Sequence, residues 1–207
     1  MKIDFILNNL NKMIPEPKCE LNYSKDYELL IATVLSAQCT DKRVNEVTKV
    51  LFERYDINTL KDAELKDIEK IIYSCGNYKK KSLYLKNIAN SLTKDFNGVV
   101  PNNREYLESL DGVGRKTTNV VLSNLFDEPA IAVDTHVNRV SKRLGLAKDN
   151  DTVYEVEKKL MKKIKKELWS RTHHQMVLFG RYTCKSINPD CNNCLLKEYC
   201  KYYKNNK

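Results

Sequence analysis

Four of the seven cysteines lie close together near the C-terminal end of the 207-residue chain. Cys184, Cys191, Cys194 and Cys200 follow the spacing C-x6-C-x2-C-x5-C. The segment between them is rich in proline, asparagine and aspartate, so it has too few apolar residues to fold by burial alone. Four soft thiolates in so short a stretch suit a tetrahedral zinc ion or an iron–sulfur cluster, and the spacing alone does not select between them.

The other three cysteines, Cys19, Cys39 and Cys75, are far from this group and from one another along the chain. An odd total in a reducing compartment argues against a framework of disulfides. Lone cysteines usually act as small buried hydrophobic side chains, and we predict that role for these three.

A lysine and an aspartate could supply nucleophilic and acid–base chemistry. Lys116 opens a predicted helix, where it faces the positive end of the helix dipole, and this favours the neutral amine that a nucleophilic attack requires. Asp134 stands directly before another predicted helix, in the position of an N-cap. Taken separately, Lys116 would be a solvated surface lysine and Asp134 only a cap.

The segment Leu110–Thr117 places Gly112 and Gly114 between two predicted helices. Glycine allows positive φ and a close approach of the backbone to a ligand. The N–H groups that begin the second helix suit a phosphate oxygen, so this turn could contact a nucleic acid without reading its sequence. An ordinary tight turn between helices is the alternative interpretation.

The elements that must position these residues are helices, because apolar residues recur at helical spacing along nearly the whole chain. The predicted helices span 3–14, 27–37, 41–51, 65–73, 83–96, 104–110, 116–126, 135–144, 153–168 and 172–182, the third behind an Asp41 N-cap. Residues 99–101 and 130–133 are expected to be extended connectors. The pattern predicts an all-α fold.

The amino-acid composition excludes some classes of protein and favours others. Hydrophobic residues make up 42% of the chain, which excludes disordered and collagen-like proteins. A net charge of +9 favours a polyanionic partner, nucleic acid or an acidic membrane surface, although a general lysine bias would give the same value. The chain has no apolar run of transmembrane length and no signal-peptide pattern, so we expect a cytoplasmic protein.

Together these motifs resemble the endonuclease III family of DNA repair glycosylases, within the helix-hairpin-helix superfamily. The resemblance covers Leu35–Asp41, Leu110–Val121, Ile131–Val140 and His173–Cys200. The cysteine spacing is similar to the family's 4Fe–4S signature, and this implies an iron–sulfur cluster, rather than zinc, on the four C-terminal cysteines.

The resemblance also implies an architecture. The expected fold has two lobes: a six-helix bundle domain over 21–131, with its helix-hairpin-helix at about 104–126, and an iron–sulfur domain formed by 1–20 with 132–207, whose cluster loop is 184–200. The expected protein is a nucleoid-associated monomer with no membrane partner.

The activity that the resemblance implies is base-excision repair of double-stranded DNA with damaged bases or abasic sites. Lys116 would attack C1′ of the deoxyribose and displace a damaged base, typically an oxidised pyrimidine, while Asp134 assists. The resulting imine would allow β-elimination on the 3′ side. One lysine would therefore support a glycosylase and an AP lyase step.

The resemblance further implies contacts with DNA, with Gln38 entering the gap left by the extruded nucleotide. The expected DNA-binding residues are Gln38, Gly112, Val113, Gly114, Arg115, Thr117, Arg181 and Lys185. Lys197 is expected to add salt-sensitive phosphate affinity. Two positions depart from the family pattern, with Asn77 where a bulky leucine is usual and Asp111 where a proline is usual.

Two other functions are compatible with parts of the sequence. An adenine-specific mismatch glycosylase of the same superfamily would use the aspartate with water, but Lys116 and the short chain argue against it. A non-catalytic DNA-binding module would need only the hairpin and the cysteine loop, and the presence of both Lys116 and Asp134 argues against that function.

Overall fold

The computed structural model describes residues 2–206, and over that range the chain is all-α without a β-strand, as the periodicity predicts. The twelve α-helices of this range are α1 Lys2–Met13, α2 Asp26–Leu35, α3 Asp41–Arg54, α4 Ile57–Leu60, α5 Leu65–Ile72, α6 Tyr78–Phe96, α7 Arg104–Ser109, α8 Arg115–Leu125, α9 Thr135–Arg143, α10 Val153–Lys163, α11 Trp169–Tyr182 and α12 Lys201–Asn205. Two 3₁₀ turns cover Lys166–Leu168 and Lys197–Tyr199. The segments 99–101 and 130–133 are extended connectors, which confirms that prediction.

Two sequence predictions about the helices are wrong. The single helix predicted for 153–168 ends at Lys163, because Ile164 is extended and its carbonyl accepts a hydrogen bond from Trp169 Nε1 at 2.9 Å. The N-cap of α3 is Thr40, whose side chain accepts from the Arg43 N–H at 3.3 Å, and Asp41 is already the first helical residue.

The chain divides into two compact units. The central unit is Cys19–Phe126, and the terminal unit combines Met1–Lys18 with Asp127–Lys207. The corresponding sequence prediction places the boundaries at 21 and 131.

The central unit contains the seven helices α2 to α8, and α2 packs directly against α3, α6 and α8. Every residue of α2 from Tyr27 to Leu35 is buried, as expected of a helix that is apolar on all sides. The buried Lys81 amine donates to the Leu35 and Ala37 carbonyls at 2.9 and 2.7 Å, and so satisfies backbone groups at the end of this helix.

The terminal unit packs α9 against α11, and α1 against α11. The side-chain amide of Gln175 on α11 donates to Asn11 Oδ1 and to the Ile14 carbonyl at 2.7 and 3.1 Å. These bonds attach the N-terminal helix to the C-terminal third of the chain. No helix within residues 2–206 is long and apolar enough to cross a membrane.

Candidate functional site

The turn between α7 and α8 is held by two buried apolar residues. Leu110 and Val113 lie at its ends, and the Val113 N–H donates to the Leu110 carbonyl at 3.1 Å. Gly112 between them has φ +74°, the left-handed conformation that the third position of a type II turn requires. A Cβ at Gly112 would lie 2.4 Å from Cδ2 of Tyr84, so only glycine fits this turn against α6.

Gly114 follows the turn as the N-cap of α8, and the space next to its Cα is open. A Cβ added at Gly114 would meet no atom within 4 Å. Arg115 and Lys116, the first residues of α8, are exposed, and Thr117 is half-buried. The first N–H groups of a helix have no acceptor within it, so this end suits an anion. Lys116 is therefore an exposed lysine in the first turn of α8, on a helix end whose backbone N–H groups suit an anion.

Asp111 stands in this turn where the family resemblance leads us to expect a proline, and its carboxylate has a hydrogen-bond partner in the structure. Asn87 on α6 donates its side-chain amide to Asp111 Oδ2 at 2.7 Å. The carboxylate is thus directed toward α6 and supports the turn.

Asp134 is the N-cap of α9. Its Oδ1 accepts from the Val137 N–H at 2.7 Å, and the side chain is half-buried. The cap leaves the second carboxylate oxygen able to act on another group, since an ionised carboxylate has about four acceptor positions on its two oxygens. The cap predicted from sequence is confirmed.

Gln38 lies in an exposed loop between α2 and α3, with φ +56°. It does not cap α3, since Thr40 does. The loop before α6 lies beside it, because a Cβ at Gly76 would be 3.6 Å from the Gln38 carbonyl oxygen. Asn77 in that second loop also has a positive φ, +58°. The structure thus brings together the two loops that the resemblance singles out.

The four C-terminal cysteines line one cavity, together with Leu144, Phe179, Pro189, Lys197, Tyr202 and Tyr203. Cys200 is buried and the other three are half-buried. Burial raises the pKa of the Cys194 thiol to about 11, so a bound metal would have to stabilise its thiolate. Among residues 2–206, no three His, Cys, Asp or Glu side chains are close enough to share a single metal ion.

Two arginines of α9 hold the start of the cysteine loop, and sequence reasoning missed them. Arg143 donates to Cys184 Sγ at 3.4 Å and to the Lys185 carbonyl at 2.6 Å. Arg139 donates to the carbonyls of Gly180 and Cys184 at 2.7 and 3.1 Å. Burial lowers the pKa of Arg139, but an arginine remains charged. Their i, i+4 spacing on one helix face was the available signal.

The basic residues predicted near this loop differ in their surroundings. Lys185 is exposed and Arg181 is half-buried. The amine of Lys197 donates to the Asn192 carbonyl at 2.9 Å, so this lysine stabilises the loop itself.

Comparison with known proteins identifies the family. Residues 31–166 match the family model described as HhH-GPD superfamily base excision DNA repair protein. Endonuclease III of Bacillus subtilis (strain 168) is 47% identical over 201 residues, covering 97% of this chain and 92% of the relative. Endonuclease III of Escherichia coli (strain K12) is 40% identical over 198 residues, covering 95% and 93%.

Solved structures agree with the sequence relatives. One described as a trapped endonuclease III–DNA covalent intermediate has a TM-score of 0.95 and 49% identity, covering 100% of this chain and 98% of that one. A non-covalent endonuclease III–DNA complex has a TM-score of 0.96 and the same identity and coverage. With the hairpin, the capped aspartate and the cysteine loop in place, this chain belongs to the HhH-GPD superfamily of base excision DNA repair proteins and, within it, to the endonuclease III family.

Proposed function

We propose that this protein is a bifunctional enzyme of base-excision repair. It removes damaged bases, oxidised pyrimidines above all, from double-stranded DNA as a glycosylase, and it cleaves 3′ to the abasic site as an AP lyase. The observation that carries the proposal is the exposed Lys116 at the start of α8, directly after the Gly112–Gly114 turn. An amine in this position can act as a nucleophile next to a backbone that binds phosphate.

The reaction begins with extrusion of the damaged nucleotide, at a cost of about a few kcal/mol that is least for a poorly paired base. Gln38 enters the gap. The neutral Lys116 amine attacks C1′ and the base leaves with the bonding electrons. The nitrogen then gives up one proton, which the departing base takes, and the ring oxygen takes up a proton as the sugar ring opens to a protonated imine, which acidifies the C2′ hydrogen. Loss of that proton expels the 3′ phosphate.

Asp134 assists the same reaction. Its carboxylate stabilises the positive charge that develops on the sugar and takes part in proton transfer. The N-cap bond to Val137 fixes its orientation. A fixed negative charge stabilises a transition state without reorganisation at the moment of reaction.

The relatives support this chemistry. A protein 49% identical to this chain has been solved as a trapped endonuclease III–DNA covalent intermediate, and such an intermediate requires a nucleophile on the protein. The resemblance to the endonuclease III family implies that Lys116 is this nucleophile in the present chain.

We propose that Cys184, Cys191, Cys194 and Cys200 hold a 4Fe–4S cluster. Their placement around one cavity supports this, because a four-iron cluster needs four thiolates. The C-x6-C-x2-C-x5-C spacing, which is similar to the 4Fe–4S signature of the endonuclease III family, favours the cluster over a single zinc ion. The cluster would tie down the cysteine loop, so that Arg181 and Lys185 are presented to phosphates.

Covalent trapping tests the proposed function. The protein is incubated with duplex DNA that carries an abasic site, and borohydride is added to reduce the imine. Wild type should give a protein–DNA adduct on denaturing gels, and Lys116→Gln should give none. Lys162→Gln, an exposed lysine of α10, is the matched control and should trap like wild type. Trapping that persists in Lys116→Gln would place the nucleophile on another residue.

A further inference from the structure

Two of the cysteines outside the C-terminal group contact each other, contrary to the sequence interpretation that treats them as isolated. The thiol of Cys39 donates to Cys75 Sγ at a distance of 3.7 Å, across 36 positions of sequence. Both thiols are free. The pairing joins the loop between α2 and α3 to the loop before α6, which periodicity could not reveal.

The two thiols differ in their access to solvent. Cys39 is half-buried, whereas Cys75 is completely buried. Burial also raises the pKa of Cys75 to about 11. A small reagent can therefore reach Cys39 first, and Cys75 stands behind it as a second sulfur.

The surroundings hold the two loops close together. The Cys75 N–H donates to the Ile72 carbonyl at 2.8 Å, and the Cys39 N–H donates to the Ser36 carbonyl at 3.1 Å. Lys81 of α6 binds the carbonyl of Ala37, two residues before Cys39, at 2.7 Å. A disulfide bond is about 2.05 Å long, so the sulfurs must approach by roughly 1.7 Å more, a movement within the reach of side-chain rotation and small loop shifts.

We propose that Cys39 and Cys75 are a reversible redox dithiol, which closes to a disulfide and ties the Gln38 loop to the Asn77 loop. Nothing in the proposed repair reaction uses these thiols. The oxidant is a low-molecular-weight disulfide, and a dithiol reductant reverses the step.

The exchange occurs in two steps. The Cys39 thiolate attacks one sulfur of the small disulfide and forms a mixed disulfide with it, while the other sulfur leaves and takes up a proton to become a thiol. Cys75 then loses its proton and attacks the Cys39 sulfur, which releases the second small thiol. The protein loses two protons and two electrons, and the small disulfide is reduced to two thiols.

The functional consequence rests on the proposed function. Gln38 and Asn77 flank the cysteines in the two loops, and Gln38 is the residue proposed to enter the DNA gap. A covalent tie removes the freedom of the loops to adjust separately to DNA. Oxidation should therefore weaken binding to an abasic-site duplex several-fold.

Peptide mapping tests the dithiol without DNA. The full-length holoprotein is treated with oxidised glutathione, alkylated under denaturing conditions, digested and analysed by mass spectrometry. Wild type and the control Cys19→Ser should yield a peptide pair linked through Cys39 and Cys75. Cys39→Ser and Cys75→Ser should not, and Cys39→Ser suffices if the buried substitution prevents folding. Glutathione that remains on Cys39 without a link to Cys75 would overturn the proposal.

Binding to the abasic-site duplex tests the consequence. Oxidised wild type should bind several-fold more weakly than reduced wild type and recover with dithiothreitol, while Cys39→Ser should respond to neither reagent. Equal affinity of the oxidised and reduced forms would overturn the coupling of the loops to DNA. If reduced wild type fails to bind or cleave this duplex, the proposed function fails, and the mapping still decides whether the dithiol exists.

Discussion

At the scale of single residues, Asp134 combines structure with proposed chemistry. Its Oδ1 caps α9 through the Val137 N–H, and the same carboxylate is proposed to stabilise charge on the sugar. Asparagine caps a helix as well as aspartate does, but it carries no negative charge. Alanine can neither cap the helix nor supply a charge. Two substitutions at one position can therefore separate the two roles.

We expect Asp134→Asn to keep the stability of wild type and to lose most base excision on a duplex with a single lesion. Asp134→Ala should lose excision as well, and about 1 kcal/mol of unfolding free energy with it. Denaturant unfolding and single-turnover excision give the two values. If Asp134→Asn excises the base as fast as wild type does, Asp134 acts only as a helix cap.

At the scale of elements, α9 organises the terminal unit from two sides. It packs against α11 at Gly180, where an added Cβ would lie 2.8 Å from the Cβ of His136. Its opposite end provides Arg143, which binds the backbone of the cysteine loop and stacks on Tyr202 with its guanidinium carbon 4.1 Å from the ring centre. One helix thus carries Asp134 at its start and supports the cysteine loop at its end.

Gly180→Ala should destabilise the protein by about 1–3 kcal/mol, because the methyl group overpacks the contact between α9 and α11. The measurement is the unfolding free energy in denaturant. Gly114→Ala is the control for stability, since a Cβ there meets nothing within 4 Å, and it should change the value far less. Equal stability of both variants would show that the helices separate at little cost.

Arg143→Lys should weaken retention of the proposed cluster. A lysine has a single ammonium group and cannot reproduce the planar fork that binds the Lys185 and Ser186 carbonyls at 2.6 and 3.1 Å. Iron content and visible absorbance should decline faster than in wild type during exposure to a chelator. Lys162→Gln, on the exposed surface of α10, should lose iron at the wild-type rate. Identical rates for Arg143→Lys and wild type would contradict a supporting role.

At the scale of the whole molecule, the structure shows where some of the basic residues behind the net charge of +9 lie. Arg115 and Lys185 are exposed and are proposed to contact DNA, whereas the amine of Lys197 is bound within the cysteine loop. Part of the charge is structural: Lys81, for example, is buried under the end of α2. The excess positive charge is therefore not spread evenly over the protein surface.

Lys185→Gln should lower the salt dependence of DNA binding. If Lys185 neutralises one phosphate, the slope of log K against log salt should become less steep by about 0.9, with a similar loss for damaged and undamaged duplexes. Affinities measured over a series of salt concentrations give the slope. The control Lys162→Gln should leave the slope unchanged. If Lys185→Gln has the wild-type slope, Lys185 does not contact a phosphate.

The sequence was sufficient wherever the signal was local. Helical periodicity located ten of the helices, and α6 ends at Phe96 as predicted, with the Gly98 N–H bound to the Leu92 carbonyl at 2.9 Å. The one-turn α4 is too short to show a period, and the break at Ile164 depends on Trp169 five residues later. The domain boundaries and the roles of the site residues stay predictions.

By itself, the sequence determined the helical class, the Gly112 turn, the cap at Asp134 and the cysteine spacing, because each depends on neighbouring residues and on backbone preferences. Only the tertiary structure decided that Arg143 holds the cysteine loop and that Cys39 contacts Cys75. These contacts join positions more than 30 residues apart, and no local preference encodes them. They exist because burying the apolar faces of the helices brings those distant segments together.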